Sequence, residues 1–402
     1  MDVTGDGKPE VFIPVEDYNA LYCLDGATGA MRWAYNLGAW NQYSSPLLTE
    51  EGDSGRAYVC DDNGMLFCLN ATNGALLWSH LADLGGTCYA SPAMADVNGD
   101  AADEIVYTCG NTIYVVSSSG VELWTTGTGD SYCSSVALCD YDENGDCEIW
   151  VYCAATGFLK VYDYGNSSPI MSVFVGAMSG YVDWPPPPAV ADVNLDGTPD
   201  AVLHHNNGIL MVDGAAMMVA WNTPSYDLYS PAIIANLDYD TTLEILVGGR
   251  SENYNNRCRV EMYQSDGSVA WRWDVAGPYN DEVEGEPILL NVDSDPEYEI
   301  AAVDYSCWTV ILDGMPLGGT CENPGRGGRT ILKTSVFSSV IELEVPARAS
   351  AALYDVTGRQ VGSWSLEKGP HSLDASGLAR GLYLLRVSSE TGTEDFKLLK
   401  AE

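Results

Sequence analysis

The sequence predicts an all-β chain, a seven-bladed β-propeller followed by a small Ig-like β-sandwich. Three observations carry this reading. Six short acidic loops share one pattern, and a β-type run follows each of them. They start at residues 2, 96, 140, 192, 236 and 291, on a period of roughly 45 residues with several short strands per unit, as propellers have. After Cys321 the composition changes, and a second run of short alternating strands begins.

The spacing supplies the missing unit. From the first loop to the second is 94 residues, twice the usual step, so a further unit lies between them. Its signature is Tyr43-Ser-Ser-Pro46, which aligns with Tyr89-Ala-Ser-Pro92 and with Tyr229-Ser-Pro231. The loop after it, from Glu50 to Arg56, has lost the alternating oxygens, so no metal is expected there.

Each unit reads as four strands. The first carries the Ser-Pro signature and leads into the acidic loop. The second follows the loop, as at Val11–Val15, Ile105–Cys109 and Ile149–Cys153. The third follows closely, as at Ala20–Leu24, Met65–Leu69 and Phe158–Tyr162. A Gly-containing turn such as Asp25-Gly-Ala-Thr-Gly29 joins it to the fourth. The fourth strand carries a tryptophan, Trp33, Trp78, Trp124, Trp221 and Trp271 or Trp273, read here as packing between blades. The first unit has its loop but no first strand, because the chain as given starts at Met1. Upstream sequence or a strand donated in cis or by a neighbouring subunit would complete it.

The loops carry the chemistry. Oxygen side chains fall at positions 1, 3, 5 and 9 in Asp2, Thr4, Asp6, Glu10; Asp96, Asn98, Asp100, Glu104; and Asp140, Asp142, Asn144, Glu148. The same holds for Asp192, Asn194, Asp196, Asp200; Asn236, Asp238, Asp240, Glu244; and Asn291, Asp293, Asp295, Glu299. Three carboxylates in one tight loop repel unless a cation sits among them. Calcium takes six to eight hard oxygens, and the backbone carbonyl at position 7 would add one more. That position is Lys8, Ala102, Asp146, Thr198, Thr242 or Glu297. Magnesium fits less well, because it demands a strict octahedron and keeps its waters. About six structural calcium sites are therefore expected. Gly7, Gly145 and Gly197 hold position 6, where Ala101, Thr241 and Pro296 depart from the pattern. Pro296 cannot take positive φ, so the last loop must turn differently.

Composition limits the partners. The chain has 402 residues, 46% hydrophobic and 10% aromatic, with a net charge of −39. It is globular, and six divalent ions would still leave its surface strongly acidic. No nucleic acid and no membrane insertion are expected. Twelve cysteines without a CxxC zinc pattern point to an oxidising compartment. Cys139 and Cys147 flank one acidic loop and are placed to clamp it, and Cys307 and Cys321 to close the last repeat. The overall connectivity stays open.

The acidic loops resemble those of FG-GAP/VCBS-type propellers, the class that includes the integrin α-subunit head. The turn and tryptophan of Leu24-Asp25-Gly-Ala-Thr-Gly-Ala-Met-Arg-Trp33 resemble quinoprotein-like propeller repeats. Together these resemblances cover residues 1 to about 315, within a propeller domain read as 1–321. They imply calcium loops on one face and a partner on the opposite face. Residues 322–330 read as a linker. Residues 331–402 resemble a type IX secretion C-terminal sorting domain, through the run from Ala352 to Val361 and the run from Leu373 to Arg386. The usual Asn-Pro near the domain start is replaced by Thr334-Ser-Val-Phe337. This resemblance implies export to the cell surface or the extracellular space.

No enzyme motif is present: no GxSxG, no HExxH and no phosphate loop. The adjacent His204 and His205 point to opposite faces of their strand and do not suit one metal. Trp40, Tyr43, Tyr89, Tyr132, Trp184 and Tyr229 precede the first strands of successive units. They are candidates for a face that binds a glycan or an extracellular protein, or for packing around the centre. The expected role is an adhesion, binding or assembly module, including self-association through strand donation into filaments. The alternative is a polysaccharide-active, lyase-like enzyme. A quinone-dependent dehydrogenase is weaker, since no cofactor cage is recognisable.

Overall fold

The computed structural model describes residues 1–15, 18–41, 44–50, 55–82, 88–178, 185–205, 208–225, 228, 230–237, 241–250, 258–274, 287–290, 299–303, 309–312, 331–332, 336–337, 339–345, 348–355, 359–389 and 392–400. The chain divides into two units, Met1–Gly319 and Thr320–Glu402. Among the described residues there is no α-helix, and no helix long and apolar enough to cross a membrane.

Among the described residues the first unit shows seven antiparallel sheets, each with its strands in chain order. The first holds Val11–Val15, Ala20–Leu24 and Met31–Asn36. The second holds Leu47–Thr49, Arg56–Cys60, Met65–Asn70 and Leu76–Leu81, and the third Ala93–Ala95, Glu104–Cys109, Thr112–Ser117 and Glu122–Gly127. The fourth is Ala137–Cys139, Glu148–Cys153, Phe158–Tyr162 and Met171–Phe174, and the fifth Ala189–Ala191, Asp200–His205, Gly208–Asp213 and Met218–Pro224. The sixth is Ile233–Ala235, Glu244–Arg250, Cys258–Tyr263 and Val269–Asp274, and the seventh Ile288–Leu290, Glu299–Val303 and Thr309–Leu312. The short first strands of the third to sixth sheets lie side by side in that order.

The core lies between the sheets. Second strands such as Glu104–Cys109 and Glu148–Cys153 are buried along their whole length. Their side chains alternate between two neighbours, so both faces need apolar residues. Ile105 and Tyr107 pack with Tyr58 and Leu66 of the second sheet, whereas Val106 packs with Ile149 and Val151 of the fourth. The same sharing joins each sheet to the next, from Leu21 against Val59 at the start to Leu246 against Ile300 at the end. Fourth strands alternate exposed and half-buried residues, as at Leu76–Leu81, because one flank meets solvent.

The tryptophans pin adjacent sheets together. Trp33 Nε1 donates to the Ala71 carbonyl, Trp78 Nε1 to that of Ser118 and Trp221 Nε1 to that of Ser265, each at 3.0 Å. Each ring lies on a turn glycine of the next sheet, Gly74, Gly120 or Gly267. A Cβ there would stand 2.5–2.7 Å from the ring.

The serine of the Ser-Pro signature, and Ser134 at the equivalent place in the fourth sheet, have a buried task as well. Ser44, Ser134 and Ser230 are buried. Their Oγ atoms accept the second-strand N–H groups of Cys60, Tyr152 and Gly248 at 3.2, 3.0 and 2.6 Å. The next serine links sheets: Ser45 N–H donates to Ser91 Oγ, and Ser91 N–H to Ser135 Oγ, at 2.9 and 2.8 Å.

Among the described residues the second unit shows two sheets around one core. One contains Ile331–Leu332, Val340–Val345 and Gly369–Asp374. The other contains Val336–Phe337, Gly392–Lys400, Gly381–Ser389, Ala349–Asp355 and Gln360–Leu366, in that spatial order. Ile341, Leu343 and Leu373 from the first meet Leu353, Leu385 and Leu398 from the second. The sequence reads 331–337 as one strand. The structure places Ile331–Leu332 and Val336–Phe337 on different sheets.

Candidate metal centre

Four acidic loops lie wholly within the described residues, those starting at Asp2, Asp96, Asp140 and Asp192. They share one hydrogen-bond template. The position-1 carboxylate is the hub. Its Oδ2 accepts the N–H of position 6, from Gly7, Ala101, Gly145 and Gly197, at 2.8, 2.8, 3.0 and 3.0 Å. Its Oδ1 accepts an N–H from position 4 or 5. The position-5 oxygen of Asp6, Asp100, Asn144 and Asp196 accepts the N–H of position 7 at 2.8–2.9 Å. The loop thus curls around its own oxygens, and each oxygen keeps a second lone pair for a further partner.

The position-9 carboxylate closes the loop from below. Glu10, Glu104, Glu148, Asp200 and Glu244 are all buried, at 4% exposure or less. Each accepts the N–H of position 2, from Val3, Val97, Tyr141, Val193 and Leu237. It is the first residue of its second strand, except in the first sheet, where the strand begins one residue later. Strand and loop are therefore in fixed register. Two groups gather three acidic oxygens within 4.8 Å of one another: Asp2, Asp6 and Glu10, and Asp140, Asp142 and Glu148. Among the described residues these are the two such groups, so the loops at Asp96 and Asp192 are more open.

Electrostatics follow from this packing. Burial pushes the Glu104 and Asp200 carboxyls up, and Glu148 up to about 7, with the neighbouring loop carboxylates adding to it. Asp2 is held low by the N–H groups of Gly7, Gly5 and Thr4. An oxygen-only donor set with a buried carboxylate that resists ionising alone suits a hard divalent cation. In metal-free protein the sign is definite. A carboxyl raised in the folded state adds stability below its unfolded value of about 4.3, and loses it as pH rises through about 7. The melting temperature in chelator should therefore drop further between about pH 5 and pH 8 for the wild type than for Glu148→Gln. Equal drops would contradict this.

The backbone template holds a feature missed in the sequence. Position 4 is left-handed as well as position 6: Gly5, Gly99, Glu143 and Leu195 have φ of 74, 74, 60 and 60°. Ala101, at position 6, also takes φ 68°. Leu195 is exposed and gains nothing from its side chain to offset the strain. Leu195→Gly should stabilise the fold by about 0.5–1 kcal/mol. A thermal melt that falls instead would overturn the template.

Other expected site residues are placed as follows. Asp238, Asp240, Asn291, Asp293, Asp295 and Glu297 lie outside the described residues, as do Tyr43, Trp184 and Tyr229. Asn236, Thr242 and Glu244 are described, whereas of Glu299 only the strand position is. Trp40 is 58% exposed. Tyr89 and Tyr132 are half-buried, Tyr132 against the core shared by the fourth and fifth sheets. His204 and His205 are both buried. Cys139 and Cys147 carry unbonded thiols, so the expected clamp is not made. Cys139 pairs across the sheet with Glu148, and the Cys147 N–H is tied to the Asp96 carbonyl at 2.8 Å. A disulfide instead joins Cys88 and Cys109.

Residues 3–130 match the family described as outer membrane protein assembly factor BamB. Residues 337–401 match the secretion system C-terminal sorting domain. No curated protein matches the chain. Among solved structures, BamB from Moraxella catarrhalis is 13% identical, with 96% of each chain covered and a TM-score of 0.46. The V. cholerae biofilm matrix protein Bap1 is 16% identical, covering 90% of this chain and 67% of that one, with a TM-score of 0.44. Chaetomium thermophilum Raptor is 11% identical, covering 77% and 27%, with a TM-score of 0.50. The first unit has the β-propeller fold, and its residues 3–130 are similar to the BamB family. The tail is a type IX sorting domain, and it marks the protein for the cell surface or the extracellular space.

Proposed function

We propose that this protein is an exported, calcium-stabilised seven-bladed propeller that serves as an adhesion, binding or assembly module outside the cell. The observation that carries the calcium reading is the loop template repeated in four sheets, with a buried position-9 carboxylate under each hub. In this reading the FG-GAP/VCBS-like loops are scaffold. Each ion cross-links the turn between the first and second strands to the start of the second. Its binding energy adds to folding stability by linkage. A scaffold tuned in this way presents the opposite face, with Trp40 and its neighbours, to a glycan or a protein.

The functional test is binding by the whole exported chain, with calcium and with EDTA. Calcium-dependent retention on a glycan array, or calcium-dependent self-association in analytical ultracentrifugation, is expected. A chain that stays monomeric and binds no glycan or surface protein in calcium would overturn the module reading. Release of unsaturated products from an acidic polysaccharide would replace it with the lyase.

A further inference from the structure

We propose that Cys133 and Cys153 are oxidised to a disulfide, one sheet along from Cys88–Cys109. The two residues are isolated bridge partners, antiparallel, and their Sγ atoms stand 4.0 Å apart. Bridge partners have Cα atoms about 4.5–5.5 Å apart, inside the range a disulfide spans. Rotation of the side chains closes the remaining gap without moving the backbone.

The position repeats a bond already made. Cys109 ends the second strand of the third sheet, and Cys153 ends the second strand of the fourth. Cys88 and Cys133 each lie in the segment just before the first strand of the same sheet. The bond would therefore tie each entering segment to its own sheet, in two consecutive sheets. The sorting tail sends the chain through compartments where such bonds persist.

The surroundings set the order of events. Cys153 is fully buried, whereas Cys133 is partly accessible. Cys133 Sγ lies 3.1 Å from Thr128 Oγ1 and 3.4 Å from the Asp130 carbonyl. The contact between the two thiols holds Cys133 down and pushes Cys153 up, with burial adding to the rise of Cys153. Cys133, the partly accessible sulfur of the two, is the one an external disulfide can reach, and it attacks as the thiolate. It displaces one sulfur of an external disulfide, that of a thiol oxidoreductase or of oxidised glutathione, giving a mixed disulfide and one released thiol. Cys153 gives its proton to solvent and attacks Cys133 Sγ, and the second external thiol leaves. Two electrons pass to the external disulfide, which ends as two thiols.

The test uses the whole chain, refolded with reduced and oxidised glutathione until Cys88–Cys109 has closed. Free thiols are then alkylated under denaturing conditions, and the peptides are mapped by mass. A crosslinked peptide pair holding Cys133 and Cys153 is expected, with Cys139 and Cys147 alkylated. Alkylation of both Cys133 and Cys153 beside an intact Cys88–Cys109 bond would overturn the proposal, and so would a bond from Cys133 to another cysteine. The Cys133→Ser variant gives a second reading. Reductant should lower the wild-type melting temperature by ~5 °C more than that of the variant. Equal drops would also overturn it.

Discussion

Replacing Trp33 by alanine is expected to destabilise the propeller by about 3–5 kcal/mol. Trp33 is 8% exposed and fills the contact between the first and second sheets. Its indole N–H donates to Ala71, Phe12 meets its edge at 5.7 Å, and Gly74 lies under its face. Truncation removes the ring, leaves a void, and strips a buried carbonyl of its donor. The same contact can be spoiled from the other side. A Cβ at Gly74 would stand 2.6 Å from the ring, and the backbone there has φ +71°, so Gly74→Ala should cost roughly 1–3 kcal/mol by crowding. The denaturation midpoint, followed by tryptophan fluorescence, reads both. A Trp33→Ala loss below about 1 kcal/mol would mean that these staples do not hold neighbouring sheets together.

The second large effect depends on the metal. Asp140 accepts the N–H groups of Asn144 and Gly145 and shares its oxygen cluster with Asp142 and Glu148. In chelator, Asp140→Ala should cost only the loop hydrogen bonds, about 1–2 kcal/mol. In calcium it should also lose the linkage from one ion, about 4 kcal/mol when calcium stands a thousandfold above its dissociation constant. The gap between wild type and variant should therefore widen when calcium is added. A gap that stays constant would show that Asp140 only shapes a turn.

Much of this was legible in the residues because periodicity is a global signal. The spacing of the acidic loops marked successive sheets, and it located the further unit between the first two loops, the sheet from Leu47–Thr49 to Leu76–Leu81. The tryptophan of the fourth strand read as packing, and Trp33, Trp78 and Trp221 pack in that way. Local geometry was less legible. Nothing in Glu143 or Leu195 announces a left-handed backbone, since the loop imposes it through the position-1 carboxylate. The Ser-Pro pattern was visible as an alignment mark. Its physical reason, a buried hydroxyl of Ser44 or Ser230 that satisfies a second-strand N–H, appears only once the strands are paired. Cysteine pairing depends on register for the same reason. Cys139 and Cys147 are close in sequence yet stay unbonded, whereas Cys88 and Cys109 meet across 21 residues.

The central claim is that the acidic loops hold calcium as scaffold, and one melt of the full chain tests it most directly. In excess EDTA the melting temperature should fall by roughly 10 °C or more, and calcium in excess of the chelator should restore it where magnesium does not. A melting temperature that is the same in calcium and in EDTA would contradict the account.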